Sequence, residues 1–161
     1  LSTTRNTPLR VAANRGASGI DGQIATACGW AMGHRQPTTI LLGDLSAIHD
    51  LNSLLLFRES PVLMTLIILN NDGGGIFSML PISKQKDVFE RFFGTPHGCE
   101  FSKAAAMFDL PYFQPENLEQ LQNSFQEAWR SNKSSLIEVK TDREQTAAHL
   151  LDWQDHVKNH A

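Results

Sequence analysis

The chain has 161 residues, 41% of them apolar and 19% charged, with a formal net charge of −3. That size and balance fit one globular domain over residues 1–161 with a core of its own, and exclude a disordered or collagen-like chain. No Lys/Arg cluster offers a footprint for nucleic acid or an anionic membrane, and no apolar run approaches the roughly 20 residues that span a bilayer.

The first ten residues are polar and carry no leader-like apolar stretch, and the two cysteines, Cys28 and Cys99, are too few for a disulfide framework. A cytoplasmic protein is the expectation. Because the chain starts at Leu1 in mid-pattern rather than at methionine, it is expected to be a fragment of a longer one.

Residues 9–13, following Pro8, read as a short strand. The loop 14–22, Asn-Arg-Gly-Ala-Ser-Gly-Ile-Asp-Gly, carries Gly16, Gly19 and Gly22. It allows close backbone approach to a ligand and leads into a helix whose first amides favour anions. That helix, residues 23–33, is rich in alanine. Neither Gly-x-Gly-x-x-Gly nor a P-loop occurs. Residues 38–42 form the second expected strand, opened by Pro37 and stopping at Gly43-Asp44.

Residues 45–59 read as a crossover helix with Leu45, Ile48, Leu51 or Asn52, and Leu55 on one face, ended by Ser60-Pro61. Residues 62–69 are nearly continuous Val, Leu, Met, Thr and Ile, as in a strand buried on both faces of a parallel sheet. They give way at once to Asn70-Asn71-Asp72-Gly73-Gly74-Gly75. Residues 76–81, Ile-Phe-Ser-Met-Leu-Pro, suit either a helical cap packed on the sheet or an apolar wall beside a ligand. Residues 84–93 form a mixed-charge segment whose Phe89, Phe92 and Phe93 would cover core.

A helix over 100–109, a short strand at Tyr112-Phe113, a helix from Pro115 to Arg130 and a strand over 134–140 complete the pattern, followed by a polar helical tail. In the helix ending at Arg130, Leu118, Leu121, Phe125 and Trp129 form the expected buried stripe. Strands alternating with helices predict an α/β fold, a doubly wound parallel sheet flanked by helices.

In such a sheet the ends of neighbouring strands share one edge, which brings Asp44 to the Asn70-Asn71-Asp72 cluster. A hard cation such as Mg²⁺ takes that all-oxygen set, with phosphate and water completing it. Asp44 is equally suited to capping a helix, and asparagines also form turns. Arg15 is a carboxylate fork or a surface ion-pair partner; Ser18 and Ser46 are phosphate donors or helix caps. His156 and His160 are four apart but lack a third ligand, so no zinc site is expected there. His49 is read as structural, and both cysteines as small buried hydrophobes.

Gly43-Asp44 and, one helix and one strand later, Asn70-Asn71 resemble the cation–diphosphate motif of thiamine-diphosphate enzymes, although Leu45 stands where that motif has a second glycine. Together with residues 14–22, His49-Asp50-Leu51-Asn52, Gly73-Gly74, Ile76-Phe77-Ser78 and Ala104-Ala105-Ala106-Met107-Phe108, it resembles one branch, the 2-succinyl-5-enolpyruvyl-6-hydroxy-3-cyclohexene-1-carboxylate synthases of menaquinone and phylloquinone biosynthesis. The likeness runs from Asn14 to about Val139 and covers that family's C-terminal, diphosphate-binding domain.

The resemblance implies thiamine diphosphate with Mg²⁺ or Mn²⁺, held by the side chains of Asp44 and Asn71 and by the Gly73 carbonyl. Ser18, Gly19, Gly43, Leu45, Ser46 and Ile76 would line the cofactor, with Ile20 wedged between its two rings. Arg15 would meet a substrate carboxylate, and Ile76, Phe77 and Leu80 the apolar side of the substrate. The implied reaction is a transferase one: 2-oxoglutarate is decarboxylated and the remaining four-carbon unit is joined to isochorismate. The activating glutamate of that family lies in the N-terminal pyrimidine-binding domain of a partner subunit of a dimer or a dimer of dimers. No catalytic residue is therefore assigned here, and the chain alone is expected to be inactive. Another thiamine-diphosphate carboligase or decarboxylase, or a non-catalytic relic of the fold, are the alternatives.

Overall fold

The computed structural model describes residues 10–14 and 19–160. Four strands, β1 (Thr38–Gly43), β2 (Met64–Asn70), β3 (Tyr112–Phe113) and β4 (Ser135–Lys140), form one sheet in the order β1-β2-β4-β3. Every neighbouring pair is parallel, with Gly43 opposite Leu69 and Asn70 opposite Lys140 at the carboxyl edge. The helices are α1 (Gln23–His34), α2 (Asp44–His49), α3 (Leu54–Glu59), α4 (Lys86–Phe89), α5 (Phe101–Met107), α6 (Leu118–Arg130) and α7 (Arg143–His160). The doubly wound architecture expected from the alternation is present. Among the described residues no helix is long and apolar enough to cross a membrane.

One face of the sheet carries the main core. Ile40 of β1 and Met64, Leu66 and Ile68 of β2 meet Ile24, Cys28 and Ala31 of α1, Ala47 of α2, and Leu54 and Phe57 of α3. Phe101 and Ala105 of α5 and Leu136 of β4 extend the same cluster. The small residues of α1 let its backbone lie close to this layer. On the opposite face α6 covers β4, burying Ala128. Leu69, at the β2 end, stays 41% exposed, so that strand is not buried on both faces along its whole length.

Several expectations are corrected. Residues 10–13 form no strand, and Leu9 lies outside the described residues. The crossover is not one helix: α2 stops at His49, a 3-10 turn spans Leu51–Ser53, and α3 resumes at Leu54. Asp50 is the cause. Its buried carboxylate accepts the Ala25 amide at 2.8 Å and the Ser53 hydroxyl at 2.6 Å, and satisfying those donors breaks the helical run. The break rotates the apolar phase, so Leu54 and Phe57 are buried while Leu55 is exposed.

Residues 84–93 split into a 3-10 turn, α4 and a π turn over Glu90–Gly94; Phe89 is buried, but Phe92 is exposed. In α6, Asn117 caps the helix through the Gln120 amide at 2.9 Å, and Leu118 and Trp129 point outward. Leu121 and Phe125 are only partly buried, and Ala128 takes the place assigned to Trp129. Cys28 is buried as expected, but Cys99 is exposed. Burial, aided by the nearby charge of Asp50, pushes the Cys28 thiol up to about 11.

The thiolate is the species that reacts. Iodoacetamide at pH 8 should therefore modify Cys99 and leave Cys28 untouched until denaturant is added, as peptide mass spectrometry would read.

Candidate cofactor edge

Asp44 is the first residue of α2, with extended Gly43 as the preceding cap, so the capping alternative for Asp44 does not hold. Its side chain is buried. Oδ1 accepts the Leu45 amide at 2.8 Å, and Oδ2 accepts the Gly73 amide at 2.9 Å. That second bond ties the end of β1 to the loop after β2, the meeting expected from the parallel register.

The loop is built to make this approach. Asn70 turns its Oδ1 to the Asp72 amide at 2.9 Å, and Asp72 adopts a left-handed conformation with φ 59°. Gly73 has φ 132°, and a Cβ there would collide with the Gly94 carbonyl oxygen. Gly74 donates its amide to the same carbonyl at 2.7 Å, and its own Cβ would strike the Phe93 carbonyl oxygen. The glycines are thus required by the close passage of the chain over residues 93–95. Asparagine-glycine turn chemistry alone would not demand it.

Four further side chains hold this edge: His97, Tyr112, Glu138 and Arg143. His97 sits over Asp44, with Nε2 3.1 Å from Oδ2. The His97 and Gly98 amides donate to Asp72 Oδ1 at 3.0 and 2.8 Å. The Gly98 bond above all holds the Asp72 carboxyl below the usual carboxylate range. Glu138 of β4, a charged residue inside the sheet, accepts the Asn70 amide group at 2.7 Å and the Tyr112 hydroxyl at 2.6 Å. Burial, then the Glu138 bond, raises the Tyr112 phenol above its ordinary value. Arg143, at the start of α7, reaches Glu90 Oε2 at 2.7 Å. A Glu in an otherwise apolar strand, Leu-Ile-Glu-Val, was the one available signal.

Asn71 differs from its neighbours. Its Oδ1 is buried and has no hydrogen-bond partner among the described residues, a condition shared only with Arg143 Nη1. Buried acceptors are ordinarily satisfied, so an orphaned amide oxygen in the loop that a buried carboxylate holds fits a hard cation. Asp44 supplies charge, Asn71 a neutral oxygen, and Gly73 is already fixed to Asp44.

Leu45 and Ser46 lie half-buried in the first turn of α2, next to exposed Gly43. Gly19 and Ile20 precede α1, with Ile20 40% exposed. Arg15 and Ser18 lie outside the described residues. Gly75–Met79 is a 3-10 helix that faces α7 and the Glu90–Gly94 turn. Phe77 packs edge-on against Phe93 at 5.8 Å, while Ile76 is 78% exposed and Leu80 also open. Residues 76–79 are thus helical as one of the two readings had it, but they pack on α7 and the Glu90–Gly94 turn, and Ile76 and Leu80 stay exposed.

A buried carboxylate, an amide oxygen and a crowded glycine loop thus lie at the carboxyl edge of a parallel α/β sheet, the edge at which such sheets bind ligands. Residues 2–139 match the family model of the thiamine pyrophosphate enzyme, C-terminal TPP binding domain, and the chain belongs to that family. It is 55% identical over 131 residues to a 2-succinyl-5-enolpyruvyl-6-hydroxy-3-cyclohexene-1-carboxylate synthase of Salinibacter ruber, across 81% of this chain and 22% of that protein. It is 50% identical over 141 residues to the synthase of Rubrobacter xylanophilus, across 88% and 24%. The branch resemblance drawn from the motifs is borne out. The chain spans about a quarter of the length of these relatives. Among solved structures, the thiamine diphosphate-dependent 4-hydroxybenzoylformate decarboxylase of Rhodococcus jostii RHA1 matches with a TM-score of 0.62 and 25% identity, over 74% of this chain and 23% of that one.

Tyr112→Phe strands one Glu138 oxygen in the sheet and should cost about 1–3 kcal/mol in urea unfolding. Gly73→Ala adds a collision to backbone strain of about 1–3 kcal/mol and should lower the melting temperature.

Proposed function

We propose that this chain is the cofactor-holding part of a 2-succinyl-5-enolpyruvyl-6-hydroxy-3-cyclohexene-1-carboxylate synthase, a transferase of the cytoplasm. The whole enzyme would decarboxylate 2-oxoglutarate and join the remaining four carbons to isochorismate. The observation that carries the cation site is the orphaned, buried Asn71 Oδ1, two residues from the Gly73 amide that Asp44 holds. The substrates rest on the names of the relatives at 55% and 50% identity.

Asp44, Asn71 and the Gly73 carbonyl would hold Mg²⁺ or Mn²⁺, and the cation would anchor the diphosphate. When bound, thiamine diphosphate supplies a nucleophilic carbon and an electron sink for decarboxylation. The protein's part is placement. Gly43, Leu45 and Ser46 would run along the diphosphate at the start of α2. Ile20, with Gly19 and Ser18 before it, would support the cofactor from the loop ahead of α1. Arg15 would pair with a substrate carboxylate. The exposed side of Ile76 and Leu80, with Phe77 behind it, would exclude water from the substrate's apolar part. The exposure of Ile76 in this chain supports that role, since an apolar side chain left 78% open awaits a covering.

The glutamate that activates the cofactor would come from the N-terminal domain of a partner subunit, which makes a homodimer or a larger homo-oligomer the working unit. Two carboxylates at the carboxyl end of the sheet are already engaged. Asp72 is committed to two amides, and Glu138 to Asn70 and Tyr112.

Calorimetry on the full-length protein should show thiamine diphosphate binding that requires Mg²⁺ or Mn²⁺, and Asp44→Ala should abolish it. Metal-independent binding, or none, would sink the cation assignment. The isolated 161-residue chain should turn over no isochorismate with 2-oxoglutarate.

A further inference from the structure

His97 is the one side chain bonded to the Asp44 carboxylate among the described residues, and its bonding is specific. Its ring is largely buried, with 11% of the side chain exposed, and stands edge-on to Phe101 at 6.3 Å. The Cys99 amide donates to Nδ1 at 2.9 Å. Nδ1 therefore carries the lone pair and the ring proton sits on Nε2, which faces Asp44 Oδ2 at 3.1 Å. Asp72 Oδ1 lies 3.6 Å from Nδ1, too far to compete, and is already used by the His97 and Gly98 amides.

A carboxylate offers about four lone-pair directions, two on each oxygen. In Asp44, Oδ2 takes the Gly73 amide and the His97 ring, and is filled. Among the described residues Oδ1 takes only the Leu45 amide, which leaves it one further lone-pair direction. The described residues thus hold the carboxylate at three points, two on Oδ2 and one on Oδ1.

We propose that His97 is a positioning residue for the cation: its Nε2–H occupies Asp44 Oδ2, fixes the carboxylate plane, and leaves Oδ1 as the oxygen that meets the metal. This rests on the reading of Asp44 and Asn71 as cation ligands. It assigns to the 94–99 loop, which supplies no ligand, a share in metal affinity. Loss of such an outer hydrogen bond costs about 10–100-fold in metal affinity.

Two substitutions separate this role from that of shaping the loop. In His97→Asn the side-chain carbonyl can take the place of Nδ1 and keep the Cys99 bond, but nothing reaches Asp44. In His97→Gln the longer amide reaches the place of Nε2 and keeps the bond to Asp44. Mn²⁺ would be titrated by electron paramagnetic resonance into the full-length protein with thiamine diphosphate present. The expected result is that His97→Asn weakens Mn²⁺ binding about 10–100-fold and that His97→Gln retains most of the wild-type affinity. Equal or tighter binding by His97→Asn, or a larger loss in His97→Gln than in His97→Asn, overturns the inference and leaves the ligand assignment standing. A wild-type protein that takes up no Mn²⁺ overturns the ligand assignment itself, and His97's role with it.

Discussion

The bond from the Gly73 amide to Asp44 Oδ2 fixes the carboxyl edge of the sheet. Parallel pairing brings the ends of β1 and β2 side by side but does not by itself make them touch, because each chain leaves the sheet in its own direction. A buried carboxylate at the start of α2 needs donors, and the Gly73 amide is one that the loop can bring. Reaching it forces Gly73 to φ 132° and presses Gly74 onto residues 93 and 94, so the glycines at 73 and 74 follow from one electrostatic demand. The gain from a hydrogen bond to a charged group, about 1.5–3 kcal/mol, is of the order needed to offset the backbone strain.

Around that bond the polar groups fall into two sets. Asp50, Asp72, Asn70 and Glu138 are each committed to named donors or acceptors, and their work is structural: Asp50 ends α2, while Glu138 and Asn70 pin the exit of β2. Asn71 stands apart with an acceptor left over. An unsatisfied buried polar atom costs about 1–3 kcal/mol, a cost that only a bound partner removes. Function is therefore read from what the edge leaves unfinished, and stability from what it completes.

Much of this was legible in the sequence. The strand-to-polar transitions at Gly43-Asp44 and Leu69-Asn70 mark the sheet edge directly, since an apolar run must end where the chain meets water or a ligand. The small residues of α1 and the continuous β2 run identify the core face. What escaped depended on contacts distant in sequence. His97 lies 53 residues from Asp44 and Glu138 lies 68 from Asn70, and neither pairing leaves a local pattern. The break at Asp50 was missed for the same reason: its donor Ala25 is 25 residues away, and without that bond the segment 45–59 reads as an unbroken helix. Trp129 shows the opposite error, in which correct helical spacing overestimates the width of the buried stripe.

Arg143 links α7 to this edge in a way that bears on how the sequence can vary. Its guanidinium bonds Glu90, and a Cβ on Gly94 would lie 2.5 Å from Nη1 and 2.8 Å from Glu90 Oε2. Its stem passes under Gly75, where an added Cβ would meet Cγ at 3.3 Å besides colliding with the Asn71 amide group. Positions 94 and 143 are therefore not independent. A larger residue at 94 becomes admissible in company with a shorter one at 143, whereas Asn71 keeps position 75 a glycine in either background. Substitutions along the C-terminal helix thus set which neighbours the cofactor edge can accept, and the two regions must drift together.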